Sequence, residues 1–283
     1  MKHFLYYLLF AFLVILVVFP MYWTFTLSIK THTDITAITP KFIFKPTLDN
    51  YRGLFTGETG TTSLPAATAD FPRYFLNGIV ISVGATLLSM LIGVPAAYVL
   101  TRGKFRRESV RENIAFTLLS FWFGPELAIA LPLYQIYQKF GLLDTYFGLI
   151  MVYQLIGIPF VVWMSRSYFL DIPVSIEEAS LVDGASKVTT FMRIVIPLAK
   201  GGLAATALLT FIFCWNNFIF ALVVGGDKTM PVTTGSLSFI RYEAVLWGQM
   251  AAAIIISAVP EIILAILLQK HIVRGLTFGS VKG

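Results

Sequence analysis

The chain has 283 residues, of which 57% are hydrophobic and 13% are charged, and its net charge is +6. Soluble globular domains carry about 25% charged residues, so this composition excludes an ordinary soluble protein and indicates an integral membrane protein. The single cysteine, Cys214, excludes an internal disulfide and makes a cysteine-based metal site implausible. The basic residues flank apolar runs, which argues against nucleic acid as a partner and favours contact with membrane lipid.

Six apolar segments predict six transmembrane helices, because each approaches the roughly 20 residues that cross a bilayer. The first run is too long for the roughly 7–15-residue apolar core of a signal peptide and lacks a small-residue cleavage site, so we predict a retained helix. Residues 30–73 are predicted to form a long exposed loop. In chain order the predicted spans are residues 4–29, 74–100, 113–134, 147–169, 202–224 and 248–269.

The distribution of lysine and arginine predicts the orientation. Six spans place both termini on one side, where the loops and termini hold 13 of the 21 basic residues and the opposite side holds 8. Because cytoplasmic loops are enriched in basic residues, both termini and the loop that contains residues 177–200 are predicted to be cytoplasmic. No internal repeat or soluble domain is evident in the sequence.

The cytoplasmic loop between the fourth and fifth spans carries helix signals. Ser175 and Glu178 have the form of a capping box, which predicts the start of a short helix, and Gly184 is predicted to end it. Ser186 is predicted to cap a second helix, which Pro197 would stop or kink. One stripe of the second helix is apolar and consists of Val188, Phe191, Met192 and Val195. The stripe predicts either packing on the membrane or the protein's own bundle, or docking on a cytoplasmic partner.

The spacing of this loop resembles the EAA motif of ABC importer permeases. Glu178-Ala179-Ser180 is followed by Gly184 and, after nine intervening residues, by Ile194, Ile196 and Pro197. Other stretches are similar to the carbohydrate-uptake permeases of the maltose-permease type, so the resemblance runs nearly from end to end. They are Phe19–Trp23 with Ser28–Lys30, Asp49–Tyr51, Leu142–Thr145, Phe213–Asn216, and Val273–Thr277 with Gly279–Gly283.

The resemblance implies an all-α type I ABC importer permease fold with a cytoplasmic coupling-helix loop. Residues 1–72 would form the first helix and outer loop, 73–270 the permease domain with its coupling loop at 171–200, and 271–283 a cytoplasmic tail. The implied location is the bacterial or archaeal plasma membrane. The implied partners are a second permease, a cytoplasmic ATPase dimer and an extracytoplasmic solute-binding protein.

The resemblance implies that a set of coupling residues contacts the ATPase. They are Glu177, Glu178, Ala179, Ser180, Asp183, Gly184 and Ala185. Glu178 would pair with a basic group of the ATPase, and the C-terminal tail would either reach toward the ATPase or anchor at the lipid surface. The chain has no phosphate-binding loop, so we expect that it binds no cofactor and is not an enzyme. ATP and Mg²⁺ would be used by the separate ATPase subunits.

Polar and aromatic residues inside the spans are the candidates for a sugar or polyol path. Amides in hydrocarbon need partners or a wet cavity, and the alternative is hydrogen bonding between helices. Glu126 is a further candidate because intramembrane acids commonly face a cavity or a partner, and Glu261 is predicted either to pair with the second permease or to be stabilised within the bundle. The predicted path residues are Trp215, Asn216 and Asn217, with Trp122, Glu126, Tyr153 and Gln154.

Other functions stay open at this point. An importer of another solute, such as glycerol phosphate or a peptide, fits the same motifs, although the span interiors hold no basic residues that would attract an anion. A secondary transporter would be expected to show paired or inverted halves, which the sequence lacks. An intramembrane hydrolase would need a nucleophile with its base, or paired aspartates, inside the spans.

Overall fold

A computed structural model describes residues 2–57, 70–240 and 245–277, and the regular secondary structure within them is helical apart from one antiparallel bridge between Ile240 and Val245. There is also a π turn at Phe191–Val195 and a 3-10 turn at Ser236–Phe239. In chain order the helices are α1 (Lys2–Ser28), α2 (His32–Ile35), α3 (Asp49–Thr56), α4 (Phe71–Arg102), α5 (Glu108–Trp122), α6 (Glu126–Lys139), α7 (Tyr146–Val152), α8 (Gln154–Leu170), α9 (Val174–Val182), α10 (Lys187–Thr190), α11 (Ile196–Asn216), α12 (Ile219–Val224), α13 (Val232–Gly235) and α14 (Trp247–Thr277).

In the described part of the chain, four continuous helical stretches are long and apolar enough to cross a membrane. They are Tyr6–Ser28, Phe71–Arg102, Lys187–Asn216 and Trp247–Leu267. The pairs α5–α6 and α7–α8 raise the number to six if each bent pair is one span. The predicted number of six is therefore reached only with two broken spans.

The third predicted span, residues 113–134, is not one straight helix. The chain turns by 89° between α5 and α6, at Gly124 and Pro125. Proline has no backbone N–H and disfavours the helical conformation in the residue before it, so a helix ends readily at this point.

The fourth predicted span, residues 147–169, bends by 43° between α7 and α8. At the break, the side-chain Nε2 of Gln154 donates to the backbone carbonyls of Ile150 (2.7 Å) and Ala85 (3.2 Å). A side chain that hydrogen-bonds to backbone carbonyls, and so interrupts the backbone hydrogen bonds of a helix, is a common cause of a bend.

The fifth predicted span, residues 202–224, has the wrong bounds. The helical stretch begins fifteen residues earlier at Lys187 and ends at Asn216, and α12 follows after a break at Asn217 and Phe218. The predicted stop or kink at Pro197 is also wrong. Pro197 lies in the first turn of α11, where its missing N–H is tolerated, and the preceding π turn bonds Ile196 N–H to the carbonyl of Phe191.

Contacts divide the chain into two units, residues 1–76 with 234–260, and residues 77–233 with 261–283. In the first unit, the end of α1 is tied to α3. The Nδ2 of Asn50 donates to the carbonyls of Ser28 (3.0 Å) and Lys30 (2.8 Å), and the hydroxyls of Ser28 and Tyr51 lie 2.8 Å apart. Side chains of the stretch Asp49–Tyr51 thus cap the end of a transmembrane helix by hydrogen bonding.

Lys30 is buried in the same unit, with 2% of its surface exposed. Its Nζ lies 4.4 Å from the ring centroid of Trp23 and 4.8 Å from that of Phe44, so aromatic faces replace water around the cation. Burial lowers the pKa of Lys30, and the nearby charge of Asp34 opposes that shift.

The second unit holds two apolar clusters. One is formed by α4, α6, α7, α11 and α12, and the other by α4, α8, the π turn and α11. The first contains Ile81, Ala85, Ala130, Tyr137, Leu149, Val152, Tyr153, Cys214, Phe220 and Val224. The second contains Val94, Ala97, Leu100, Val161, Val162, Phe169, Ile172, Val195, Ala199 and Leu203.

Asp144 binds the loop that follows α12 through hydrogen bonds. Its carboxylate accepts hydrogen bonds from the backbone N–H of Lys228 (3.1 Å), and from the N–H and hydroxyl of Thr229 (both 2.9 Å). Asp144 has φ +52°, a left-handed conformation that aspartate tolerates better than most residues. Gly226 lies directly against its side chain, where a Cβ atom would clash.

Candidate coupling surface and translocation path

The loop between α8 and α11 contains the two predicted short helices. Gly184 ends α9 with φ +87°, and the N–H of Ala185 donates to the carbonyl of Ser180 (3.1 Å), as is typical of a glycine-terminated helix. The Ser186 side chain caps α10 by accepting from the N–H of Thr189 (3.1 Å). The predicted capping box at Ser175 is wrong, because α9 begins at Val174 after Pro173 and has no side-chain cap.

The apolar stripe of the second helix is divided between two environments. Phe191 and Val195 pack into the protein's own bundle, and Val195 is completely buried. Val188 and Met192 remain 71% and 60% exposed. Packing against the protein's own bundle therefore holds for half of the stripe, and the other half is exposed.

The coupling residues predicted from the sequence are also divided by burial. Glu177 and Ser180 are buried, and Ala185 is half-buried. The exposed members are Glu178, Ala179, Asp183 and Gly184. Glu177 and Ser180 are three positions apart and therefore lie on one face of the helix. Because both are polar, hydrophobic periodicity could not reveal that this face is buried.

Glu177 is paired inside the protein. Its Oε1 accepts from the Nε of Arg102 (2.7 Å) and its Oε2 accepts from the hydroxyl of Tyr98 (2.7 Å). Sequence analysis missed Arg102 and Tyr98 altogether. They lie near the end of a span, 75 and 79 residues before Glu177, so no local pattern in the sequence indicates this contact.

A cavity of about 680 Å³ opens between the end of α4 and this loop. Arg102 and Glu177 line it together with the apolar side chains of Pro95 and Phe191, and Lys104, Glu178 and Lys187 are exposed around it. The loop therefore presents both signs of charge and apolar surface in one place.

A second cavity, of about 480 Å³, contains the best predicted path residues. Its lining consists of Glu126, Ile212, Phe213, Asn216, Asn217, Phe218 and Ile219. The Nδ2 of Asn217 lies 3.2 and 3.1 Å from the two carboxylate oxygens of Glu126, and its Oδ1 accepts from the N–H of Phe220 (3.1 Å). Asn217 thereby holds Glu126 in place at the break between α11 and α12.

Asn216 points to a different neighbour. Its Nδ2 donates to the carbonyl of Ile212 (3.0 Å) and to the carboxylate of Glu261 on α14. Glu261 is therefore paired within the bundle, one of the two alternatives that the sequence left for it. Two amide–carboxylate pairs, from three helices, thus lie around the end of α11.

The other predicted path residues lie away from this lining. Trp215 is 4% exposed and stacks on Phe211. Tyr153 and Gln154 are buried at 1% and 9% exposure, and the Gln154 amide is bonded within the bundle. Trp122 belongs to an aromatic cluster with Phe123, Phe160 and Phe213, and Phe213 connects that cluster to the cavity.

Comparison with known proteins decides the family. Residues 89–278 match the family described as "Binding-protein-dependent transport system inner membrane component". The chain belongs to this family. It is therefore a multi-pass membrane permease subunit of an ABC transporter and not an enzyme, as the sequence predicts.

Two relatives show how far the similarity of this family member extends. The chain is 34% identical over 272 residues to the trehalose/maltose transport system permease protein MalG of Thermococcus litoralis, covering 95% of this chain and 93% of that one. It is 32% identical over 273 residues to the trehalose transport system permease protein SugB of Mycobacterium tuberculosis, covering 93% and 92%.

A solved structure agrees on the fold. A chain of a bacterial ABC transporter involved in the import of the acidic polysaccharide alginate superimposes with a TM-score of 0.75 at 24% identity, over 93% of each chain. The predicted type I ABC importer permease fold is thereby confirmed.

Proposed function

We propose that this chain is one of two permease subunits that together form the path of an ATP-driven importer for a sugar or polyol. In this proposal both termini and the loop 171–200 are cytoplasmic. A cytoplasmic ATPase dimer that uses ATP and Mg²⁺ binds this loop, and an extracytoplasmic binding protein delivers the solute. The named relatives transport trehalose and maltose, which supports a carbohydrate as the solute.

The observation that carries the coupling role is the exposed face of the loop. Glu178 is exposed, and on the same loop Val182 and Val188 are 87% and 71% exposed although both are apolar. Exposed apolar side chains next to charges are typical of a protein–protein contact. The opposite face of the same loop is anchored in the bundle through Glu177 and Val195, so a force applied at the exposed face would reach the spans.

The cavity at the end of α11 supports a neutral polyhydroxy solute. Phe213 and Phe218 offer apolar faces, while Glu126 and the two asparagines offer planar groups that exchange hydrogen bonds with hydroxyls. None of the described residues that line this cavity is cationic. An anion such as glycerol phosphate would meet a carboxylate there without a compensating charge, so that alternative is disfavoured.

Purification of the importer through a tag on this chain tests the proposal. We expect an ABC ATPase and a second permease to copurify with the wild-type chain. Charge reversal in Glu178→Arg should remove most of the bound ATPase while the chain stays in the membrane. Reversal of an exposed acid elsewhere, Asp227→Arg, should not. Equal retention of the ATPase by Glu178→Arg and the wild type would contradict the coupling assignment.

A separate measurement identifies the solute: native mass spectrometry of the loaded binding protein.

A further inference from the structure

Glu177 and Glu178 are adjacent and chemically identical, yet they lie in opposite environments. Glu177 is 6% exposed, whereas Glu178 is exposed at the surface of the loop. Both oxygens of the buried carboxylate accept hydrogen bonds from α4, one from Arg102 and one from Tyr98. The coupling loop is therefore bonded to a transmembrane helix by a buried charged group, whereas the neighbouring Glu178 is at the surface.

Arg102 extends this contact to a third helix. Its Nη2 donates to the carbonyls of Phe169 (2.8 Å) and Ile172 (2.5 Å), which lie at the end of α8. The last carbonyls of a helix have no partner within the helix, so a guanidinium is well suited to bind them. One side chain thus joins the ends of α4 and α8 to the start of α9.

Aromatic packing makes the same connection. The ring of Tyr98 lies 5.8 Å from that of Phe169 on α8 and 4.6 Å from that of Phe191 in the π turn. Its hydroxyl meanwhile donates to Glu177. Packed rings and a bonded hydroxyl leave Tyr98 little freedom to move independently of the loop.

The loop itself is internally braced. The hydroxyls of Ser180 on α9 and Thr190 on α10 lie 2.9 Å apart, and both side chains are buried. The two short helices are therefore linked across the Gly184 turn. A displacement of the exposed surface would be expected to move the whole loop, together with whatever Glu177 holds.

We propose that Glu177, Arg102 and Tyr98 form a fixed joint through which displacement of the loop 171–200 moves α4 and α8. Glu178 docks the partner, and Glu177 transmits the movement. Packed side chains, hydrogen bonds and rigid helices can carry coupling between distant sites, and the joint provides all three at the end of α4. This inference rests on the proposed function, because it requires an ATPase that displaces the loop.

Hydrogen–deuterium exchange on the purified importer tests the joint, with MgATP and vanadate as the probe. Two peptides are followed: residues 171–190 report the loop, and residues 95–107 report the end of α4. In the wild type we expect exchange to change in both when MgATP and vanadate are added. Glu177→Gln should preserve the loop response and reduce the α4 response by roughly tenfold, a typical size for coupling between sites.

Two variants separate transmission from folding and from docking. Tyr98→Phe keeps the packed ring and loses only the hydroxyl, so it should reduce the α4 response by roughly fivefold with little change in melting temperature. Glu178→Gln, the same chemical change one residue along, should reduce both responses together because docking is weakened. A full α4 response in Glu177→Gln and Tyr98→Phe would overturn the joint. A wild-type complex without ATPase, or with an unresponsive loop, would overturn the proposed function and the joint with it.

Discussion

At the scale of single residues, neighbours in sequence have opposite roles because successive positions on a helix point about 100° apart. Trp215 is buried in the core while Asn216 is exposed at a cavity. Glu177 is buried while Glu178 is exposed. A motif of consecutive residues therefore locates a site in the sequence, but it does not show which side chains face the helix bundle and which face outward.

Asp144 supports a prediction at this scale. Asp144→Ala removes the acceptor for three hydrogen bonds and places an alanine in a left-handed conformation, so we expect a loss of about 2–3 kcal/mol in unfolding free energy. Asp144→Asn keeps an acceptor and the tolerance for this conformation, and should lose less. Thermal unfolding in detergent, followed by tryptophan fluorescence, measures both. The exposed Asp227→Ala is the control, and an equal effect of Asp227→Ala and Asp144→Ala would refute the role of Asp144.

At the scale of elements, the structure departs from the sequence prediction mainly where helices break. Hydrophobicity predicted apolar segments correctly but could not show that α5 and α6 meet at 89°, or that α11 is continuous with the coupling loop through a π turn. Hydropathy averages over a window of about 19 residues, whereas a break depends on one or two backbone hydrogen bonds.

The turn between α9 and α10 gives a prediction for an element. A Cβ atom at Gly184 would meet nothing within 4 Å, so Gly184→Ala should act through its positive φ alone and destabilise the turn by about 1 kcal/mol. Gly184→Asn should be milder, because asparagine adopts this conformation more readily. Gly141→Ala, at φ +66° and equally open, is the matched control. We expect a similar loss of stability in both alanine variants, but weaker ATPase binding only in Gly184→Ala. Equal ATPase binding in the two would contradict a role for the turn in docking.

At the scale of the whole molecule, the orientation across the membrane is open to a direct test. Cys214 is the single cysteine and is buried, so Cys214→Ala provides a background without reactive thiols. In that background we expect Asp171→Cys to react with a membrane-impermeant maleimide in inverted vesicles only, and Asp227→Cys to react in right-side-out cells only. Both positions are exposed. The reverse pattern would overturn the proposed cytoplasmic location of the coupling loop.

The sequence alone determined the membrane class and the all-helical fold, and it predicted the two short helices between the fourth and fifth spans, because hydrophobic run length and motif spacing are local properties of a chain. It also identified Glu126, Asn216 and Asn217, since polar groups in apolar spans are conspicuous without any coordinates. Only the tertiary structure decided which of them share a cavity, and that Glu177 faces inward to Arg102 and Tyr98. Those contacts join residues 75 or more positions apart, and their existence depends on how helices pack rather than on any local pattern.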